Sequence, residues 1–403
     1  MIAKRHVPAP PAFASEIATV GVTGTNGKTT TTAWIAAALR RLGGPVLRAT
    51  TVGHFLDDER LEIEKSYDGF VSAMRTMFDR GGRRAAIELT SEALAAGFAR
   101  AWPCRVGVFT NLTHDHLDAH GTPEHYLASK AQLFVSLPAG GTAVLNASDP
   151  NWELLHEVLP AGVVHRSYAV PARGAPQGEP DVVATAVDVS WSGTRIALEW
   201  RDPSMPRVLS VRAIGEVFAE NALAALLGAV AAGVPANEAA EAIAEAPPPP
   251  GRFEVVHERP FVVVDYAHSP DALARMVATA RGLAGAAKLF VVFGAGGKRD
   301  KAKRAPMGEA ARPADVVVLT SDNPRDESPA DIARAIAQGL AGHDGVRVEL
   351  DRRKAITTAI REAREDDVVL VAGKGHEIDQ TIEGETRPFS DVDVAREALA
   401  ARG

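Results

Sequence analysis

The sequence predicts an α/β protein, with a P-loop-containing central domain built on a mostly parallel sheet and a C-terminal Rossmann-like α/β domain. Three observations predict it. Short apolar runs alternate with longer helical patterns, as in successive βα units. A glycine-rich segment, Gly24-Thr25-Asn26-Gly27-Lys28-Thr29-Thr30, falls between a predicted strand and a predicted helix. A proline run at residues 247–250 separates one such series from a second.

Residues 17–22 read as a strand and 29–42 as a helix. Residues 85–89 and 106–110 are further buried strands, 122–137 carries helical periodicity, and 143–146 continues the sheet. Residues 182–214 differ, because VVATAVDVSWSGTRIALEW alternates β-branched and polar residues around a Ser-Gly turn, the pattern of antiparallel hairpins. Residues 216–232 form an Ala/Leu-rich helix closed by Gly233, and 236–246 form a second. Consecutive prolines cannot continue a helix, so 247–250 is expected to be a stiff hinge. It divides a central domain, 16–248, from a C-terminal domain, 249–403, with 1–15 as an N-terminal extension. Beyond the hinge follow FVVVDYA, a helix over 271–283, KLFVVFG, a helix near Met307, DVVVLT, a helix over 330–340, VRVEL, a helix running to Glu365, and DVVLVAG.

The chain's 403 residues, 46% of them hydrophobic, suffice for two or three domains with real cores. Forty-four Lys+Arg against 51 Asp+Glu give a formal charge of −7, so no global basic field is present to draw nucleic acid or an anionic membrane. Phosphate binding must therefore be local. No apolar stretch reaches membrane-spanning length, and the opening residues hold no signal-peptide core, so a cytoplasmic protein is expected. The single cysteine, Cys104, lies in an apolar run and reads as a buried strand thiol rather than a nucleophile.

At the glycine-rich turn, backbone N–H groups can converge on phosphate oxygens with the favourable dipole of a helix N-terminus. Lys28 would neutralise the β/γ-phosphates and the Thr29 hydroxyl would ligate Mg²⁺. The common spacing places glycine at position 22, where this chain has Val22. A hydrolase or transporter ATPase would fit this loop equally well. The segment Asn111-Leu-Thr-His114-Asp115-His116-Leu-Asp118-Ala-His120-Gly121 could by composition hold zinc. A nucleotide loop in the same domain calls instead for a hard, oxygen-preferring metal. Glu88, at a strand's carboxyl end, sits where ligands bind in open α/β folds, though a solvated strand-end charge is the alternative.

Together GTNGKTT, Glu88, NLTHDHLDAHG, HYLASKAQLF, GEVFAENALAA, GRFE and DYAHSPDAL resemble the Mur ligase family, in order and spacing, from about Ile17 to Ala398. FGAGGKRDKAKRAPMG, SDNPRDESP and VAGKGHE resemble its UDP-N-acetylmuramoyl-tripeptide synthetase branch, and most closely the diaminopimelate-adding members. The resemblance implies an ATP-dependent ligase that activates a carboxylate as an acyl phosphate and joins it to an amine. Its implied catalytic residues are Lys28, Glu88, His116, Lys130 and His268. ATP would be held by Gly24, Thr25, Asn26, Gly27, Lys28, Thr29, Thr30, Asn111, Asn221, Arg252 and Asp265, and Mg²⁺ by Thr29, Glu88, His116 and Lys130. Lys130 matches a lysine that is carbamylated in the family. Without the resemblance it reads as a solvated helix lysine, Asn221 as a helix-face polar residue and Asp265 as a strand-end turn former. Arg299, Asn323, Arg325, Gly373 and Glu377 match positions that hold the incoming amino acid. Arg325 suits a carboxylate and Glu377 a distal ammonium, although Asp-Asn-Pro is also a loop starter.

Three departures fall on the acceptor side. The branch carries an N-terminal uridine-nucleotide domain, which this sequence is expected to lack. KSYDGFVSAMR stands where the family has a Thr-Thr motif, and Thr90-Ser91-Glu92 where it has Ser-Ser-His. The expectation is the same reaction on a non-standard carboxylate acceptor, by a monomer whose partners are small molecules. Two alternatives compete: a folylpolyglutamate- or cyanophycin-like ligase, and a catalytically inactive nucleotide-binding regulatory protein.

Overall fold

The computed structural model describes residues 8–113 and 122–402. The chain divides into two compact units, one formed mainly by residues 1–188, 192–212 and 216–247, the other by 189–191, 213–215 and 248–403.

The first unit is organised around the strand Ala18–Thr23, which pairs in parallel with Arg84–Glu88 on one side and Val106–Phe109 on the other. A strand in that position is covered on both faces, and all but its first residue are buried. Outward from it, Thr142–Asn146, Val164–Ala169 and Val182–Ser190 extend the parallel sheet. The hairpin strands Gly193–Trp200 and Val208–Val211 close that edge antiparallel. On the other side Val46–Thr50 pairs in parallel with Arg84–Glu88, then turns into the antiparallel strands Gly53–Leu56 and Glu59–Leu61. The result is a mixed sheet of 11 strands. The alternating stretch after residue 182 thus forms the antiparallel meander its pattern predicts, whereas the 46–61 hairpin was not read from sequence.

The helix Lys28–Leu39 packs on the central strands and against the helices Val217–Ala231 and Ala236–Glu245. Being covered nearly all round, it buries Trp34, Ile35, Ala36, Ala38 and Leu39 together with Thr29 to Thr32. The opposite face of the sheet is filled by a cluster that includes Phe13, Phe70, Met74, Trp102, Phe109 and Phe134. Helix starts in this unit follow local chemistry. Ser66 accepts from the Gly69 N–H, and Thr122 accepts from the His125 N–H with Pro123 in the first turn. Cys104 is buried just ahead of the strand Val106–Phe109 rather than within it, and desolvation pushes its thiol up to about 12, as expected for an inert buried thiol.

The second unit holds a six-stranded sheet in the order Glu254–Glu258, Phe261–Asp265, Val368–Ala372, Leu289–Phe293, Val316–Leu319, Val346–Val348. The first pair is antiparallel and the others are parallel. The last long strand, Val368–Ala372, inserts between Phe261–Asp265 and Leu289–Phe293, a crossover that hydrophobic runs alone do not announce. Helices Arg352–Glu362 and Asp391–Ala400 supply one face of the core through Ile356, Ile360, Val394 and Ala395. Pro270–Ala284 and Arg304–Ala310 begin their helices beyond the first two long strands. A small hairpin, Asp379–Ile382 with Glu385–Pro388, follows the glycines at 373 and 375.

Candidate active site

In the first unit the site is built where three parallel strands end. Beyond Thr23 the chain turns through Gly24 at φ 151° and Gly27 at φ 86°, and Gly27 caps the helix that begins at Lys28. Neither glycine can carry a side chain. A Cβ at position 24 would lie 1.9 Å from the Thr110 Oγ1, and one at 27 would lie 2.0 Å from the Asn221 Oδ1. Val22, the departure from the common loop spacing, is a fully buried residue of the strand itself, where a side chain is wanted.

The loop is braced from below. The Asn26 N–H donates to Asn111 Oδ1 at 2.9 Å, and Asn111 Nδ2 returns a bond to Asn26 O at 3.3 Å. Thr110 Oγ1 also donates to Asn26 O, at 2.6 Å. Thr25 Oγ1 receives the Thr113 N–H at 3.0 Å and the Tyr126 hydroxyl at 3.2 Å. Lys28 Nζ folds back onto Thr25 O at 2.8 Å. Asn221, on the helix Val217–Ala231, is buried against Gly27, and among the described residues its Oδ1 has no hydrogen-bond partner.

Glu88 ends the neighbouring strand and turns its carboxylate onto the helix start. The Thr29 hydroxyl donates to Glu88 Oε2 at 2.9 Å, and the same oxygen receives the Thr51 N–H at 3.2 Å and the Thr51 hydroxyl at 3.3 Å. Thr51 escaped the sequence reading because it lies just after the unforeseen strand Val46–Thr50. Lys130, on the helix Pro123–Val135, is 1% exposed. Its Nζ donates to Gly24 O at 2.7 Å and lies 4.2 Å from the centre of the Tyr126 ring. It is therefore no solvated helix lysine, because it points under the phosphate loop. His116, with the rest of the His/Asp segment at 114–121, lies outside the described residues. Thr30 is buried in the helix's first turn. Among the described residues no group of three or more His, Cys, Asp or Glu is arranged to hold a metal. The donors that do converge, Thr29, Glu88 and Thr51, are hard oxygens, a set that fits Mg²⁺ rather than zinc.

In the second unit two groups share the carboxyl edge of the sheet. Asp265 is buried at its strand end, with Oδ2 receiving the Phe253 N–H and Oδ1 the Ala267 N–H, both at 2.7 Å. Desolvation raises its carboxyl above the ordinary value, against the opposing pull of Arg252 and those two N–H groups. The Arg252 guanidinium stacks 4.6 Å from the Tyr266 ring centre, and His268 Nδ1 lies 3.0 Å from Tyr266 O. Next to them the Gly373 N–H donates to Asp265 O at 3.0 Å.

From there the chain enters the second group. Glu377 Oε2 accepts from Asn323 Nδ2 at 3.1 Å and pairs with Lys374 Nζ at 2.9 Å. Arg325, held at φ 55°, uses Nη1 on Gly297 O at 2.6 Å. A Cβ on Gly296 would lie 3.2 Å from Arg325 Nη1 and 3.6 Å from the Arg299 Cγ, so both arginines flank that glycine. The structure thus brings Arg299, Asn323, Arg325, Gly373 and Glu377 into one neighbourhood. It adds a residue the sequence did not single out. Lys374 is fully buried among Glu377, Asn323 Oδ1 at 3.4 Å and Asp322 Oδ1 at 3.9 Å. The string containing it was in plain sight, but nothing in a sequence distinguishes a buried lysine from a solvated one.

Residues 22–229 match the Mur ligase middle domain and residues 251–375 the Mur ligase, glutamate ligase domain. The chain is 38% identical over 391 residues to UDP-N-acetylmuramoyl-L-alanyl-D-glutamate--2,6-diaminopimelate ligase of Aquifex aeolicus, covering 95% of this chain and 78% of that one. A solved structure of a ligase of that description aligns with TM-score 0.67 at 32% identity, covering 96% of this chain and 79% of the other. Mycobacterium tuberculosis folylpolyglutamate synthase complexed with ADP aligns with TM-score 0.72 at 18% identity, over 96% of this chain and 91% of its own, a likeness of fold. The middle- and C-terminal-domain matches and the extent of this identity show that the chain belongs to the Mur ligase family of ATP-dependent amide-bond-forming enzymes.

Proposed function

We propose that the protein activates a carboxylate acceptor as an acyl phosphate and joins it to a diaminopimelate-like amino acid. The observation that carries this reading is the Glu88 carboxylate lying 2.9 Å from the Thr29 hydroxyl at the start of the phosphate-loop helix. An anionic acceptor and an anionic triphosphate repel each other, so their reaction needs positive charge and fixed dipoles at the point of transfer. The first unit offers the helix N-terminus and Lys28 for that purpose. Thr29 and Glu88, with His116 and Lys130, would hold Mg²⁺, which when bound offsets phosphate charge.

In the first step an acceptor carboxylate oxygen forms a bond to the γ-phosphorus while the bond to the β-phosphate oxygen breaks, releasing ADP. In the second, the amino group attacks the acyl carbon, loses a proton, and phosphate leaves with its bridging oxygen. Arg325 and Glu377 suit the two ends of an amino acid. Among the described residues the side-chain hydrogen bonds of Arg325 all use Nη1, so its Nε–Nη2 edge can fork a carboxylate. Glu377 can exchange part of its pairing with Lys374 for a ligand ammonium. Asp265, Arg252 and His268 are assigned to the nucleotide. Carbamylation would convert the buried Lys130 ammonium into an anion able to orient Mg²⁺ under the loop.

The decisive experiment follows oxygen. With ¹⁸O in the acceptor carboxylate, the acyl-phosphate route delivers label into the released phosphate, and ADP release depends on the amine. Unlabelled phosphate at full turnover would refute the intermediate, and ADP release indifferent to acid and amine would refute the assignment as a whole. Carbamylation is tested separately, by bicarbonate-dependent turnover that disappears in Lys130→Arg.

A further inference from the structure

We propose that the acceptor is a carboxylic acid with an apolar, ring-bearing body, bound in a cavity of the first unit beside Glu88. This rests on the ligase reading above and names its substrate class. The cavity, of about 600 Å³, is bordered by Glu88, Thr51 and Lys65 at one end and by Tyr67, Phe70 and Phe98 along its wall. That volume is within the usual range for a small-molecule site.

The two ends differ in chemistry. At the polar end Lys65 Nζ donates to Thr51 O at 3.0 Å, and Thr51 is bonded to Glu88, the carboxylate that meets the phosphate-loop helix. A ligand carboxylate placed there has a cation beside it and lies next to the start of the Lys28 helix. His54 also borders this end. The residue is 8% exposed, and among the described residues its Nδ1 has no hydrogen-bond partner. Part of the lining is aromatic, with the Phe98 ring centre 5.8 Å from that of Tyr67 and 5.0 Å from that of Phe70, both edge-on. The Tyr67 hydroxyl is already donated to Ala101 O at 2.8 Å, so the ring is what remains for a ligand. Ala93, Ala96 and Gly97 line the cavity with small residues and leave width for a flat group.

Such a wall suits carbon. A sugar-peptide placed against it would leave hydroxyls and amides without partners, a cost that an apolar body avoids. The discriminating residues are this chain's own, because Lys65 and Tyr67 belong to the KSYDG stretch that stands where the family has Thr-Thr.

Calorimetric titration of the full chain, with a non-hydrolysable ATP analogue and Mg²⁺, tests this using 3-phenylpropanoate as probe and 3-phenylpropan-1-ol as its uncharged control. The acid is expected to bind with submillimolar Kd and the alcohol at least about tenfold more weakly. Ala96→Trp, at an exposed position, fills the cavity and should weaken the acid by about tenfold or more, and Lys65→Met by about fivefold, with binding of the ATP analogue unchanged in both. No binding of the acid, equal binding of the alcohol, or indifference to Ala96→Trp would overturn the proposal. Turnover separates this failure from failure of the ligase reading. ADP release with a UDP-muramoyl dipeptide that Ala96→Trp leaves unaltered sinks only the acceptor class. Absence of amine-dependent ADP release with every acid, while the probe still binds as expected, sinks the ligase reading and leaves the cavity assignment standing.

Discussion

Replacing Asp391 tests whether a buried ion pair holds the amino-acid residues in place. Arg352 and Asp391 are both fully buried and meet in a two-bond fork, Nε to Oδ1 at 2.8 Å and Nη2 to Oδ2 at 2.7 Å. The same guanidinium donates to Ser321 O at 3.2 Å and Ala372 O at 2.9 Å. Those carbonyls immediately precede Asp322-Asn323 and Gly373-Lys374, so the pair ties together both segments that carry the proposed substrate contacts. Removing one charge leaves the other buried and uncompensated, which costs about 3–5 kcal/mol. Asp391→Asn keeps one acceptor oxygen and should fall near the lower value, with Asp391→Ala near the upper. For a unit of this size that corresponds to a midpoint lowered by roughly 6–20 °C. Because the two carbonyls would shift, the KM for the amino acid should rise roughly tenfold, about 1.4 kcal/mol, while the KM for ATP stays near wild type. Paired replacement by apolar residues, Arg352→Met with Asp391→Leu, should recover most of the stability, since it leaves no buried charge. Denaturant unfolding and steady-state kinetics read both quantities. Asp391→Asn within about 1 kcal/mol of wild type, or an equal rise in both KM values, would refute the reasoning.

Further outcomes follow from the same geometry. Gly27→Ala puts a methyl group 2.0 Å from the Asn221 Oδ1 at a positive φ, so nucleotide binding measured by calorimetry should be lost. Asn221→Gly should restore it only in part, because the backbone strain of about 1 kcal/mol stays. Asp265→Asn sets an amide N–H₂ against one of two backbone N–H donors and should cost about 1–3 kcal/mol in denaturant unfolding. Asp265→Ala no more costly than Asp265→Asn would count against that account. The Cys104 thiol has its folded value raised from 9.0 to about 12, so the stability it contributes is fully present below pH 9 and is lost as pH rises toward 12. Native protein should resist thiol reagents at pH 8 and react once unfolded, and prompt labelling without unfolding would contradict the burial.

The helices read over 122–137, 271–283 and 330–340 were legible from their apolar pattern, and the structure starts them at Pro123, Pro270 and Pro329 behind the capping side chains of Thr122, Ser269 and Ser328. The long buried strands were legible because burial on both faces demands continuous apolar runs. The hairpin at 46–61 and the helix Tyr67–Asp79 were not, although they and the segment joining them carry Thr51, Lys65 and Tyr67. The hairpin strands are short and partly exposed, whereas the helix buries Phe70, Ala73, Met74 and Met77 at a regular helical spacing that the sequence reading passed over.

Sequence by itself determined the α/β class, the phosphate loop with Gly24, Gly27, Lys28 and Thr29, and, through its motifs, the family. These depend on residues close together in the chain, where backbone freedom and side-chain type act directly. Only the tertiary structure decided that Thr51 and Thr29 share one oxygen of Glu88, and that Lys130 reaches under Gly24. It alone buried Lys374 between Asn323 and Glu377, and set an aromatic wall beside the Glu88 carboxylate. Each of those contacts joins segments distant in the chain and depends on which strands lie side by side, an order set by packing of the whole sheet.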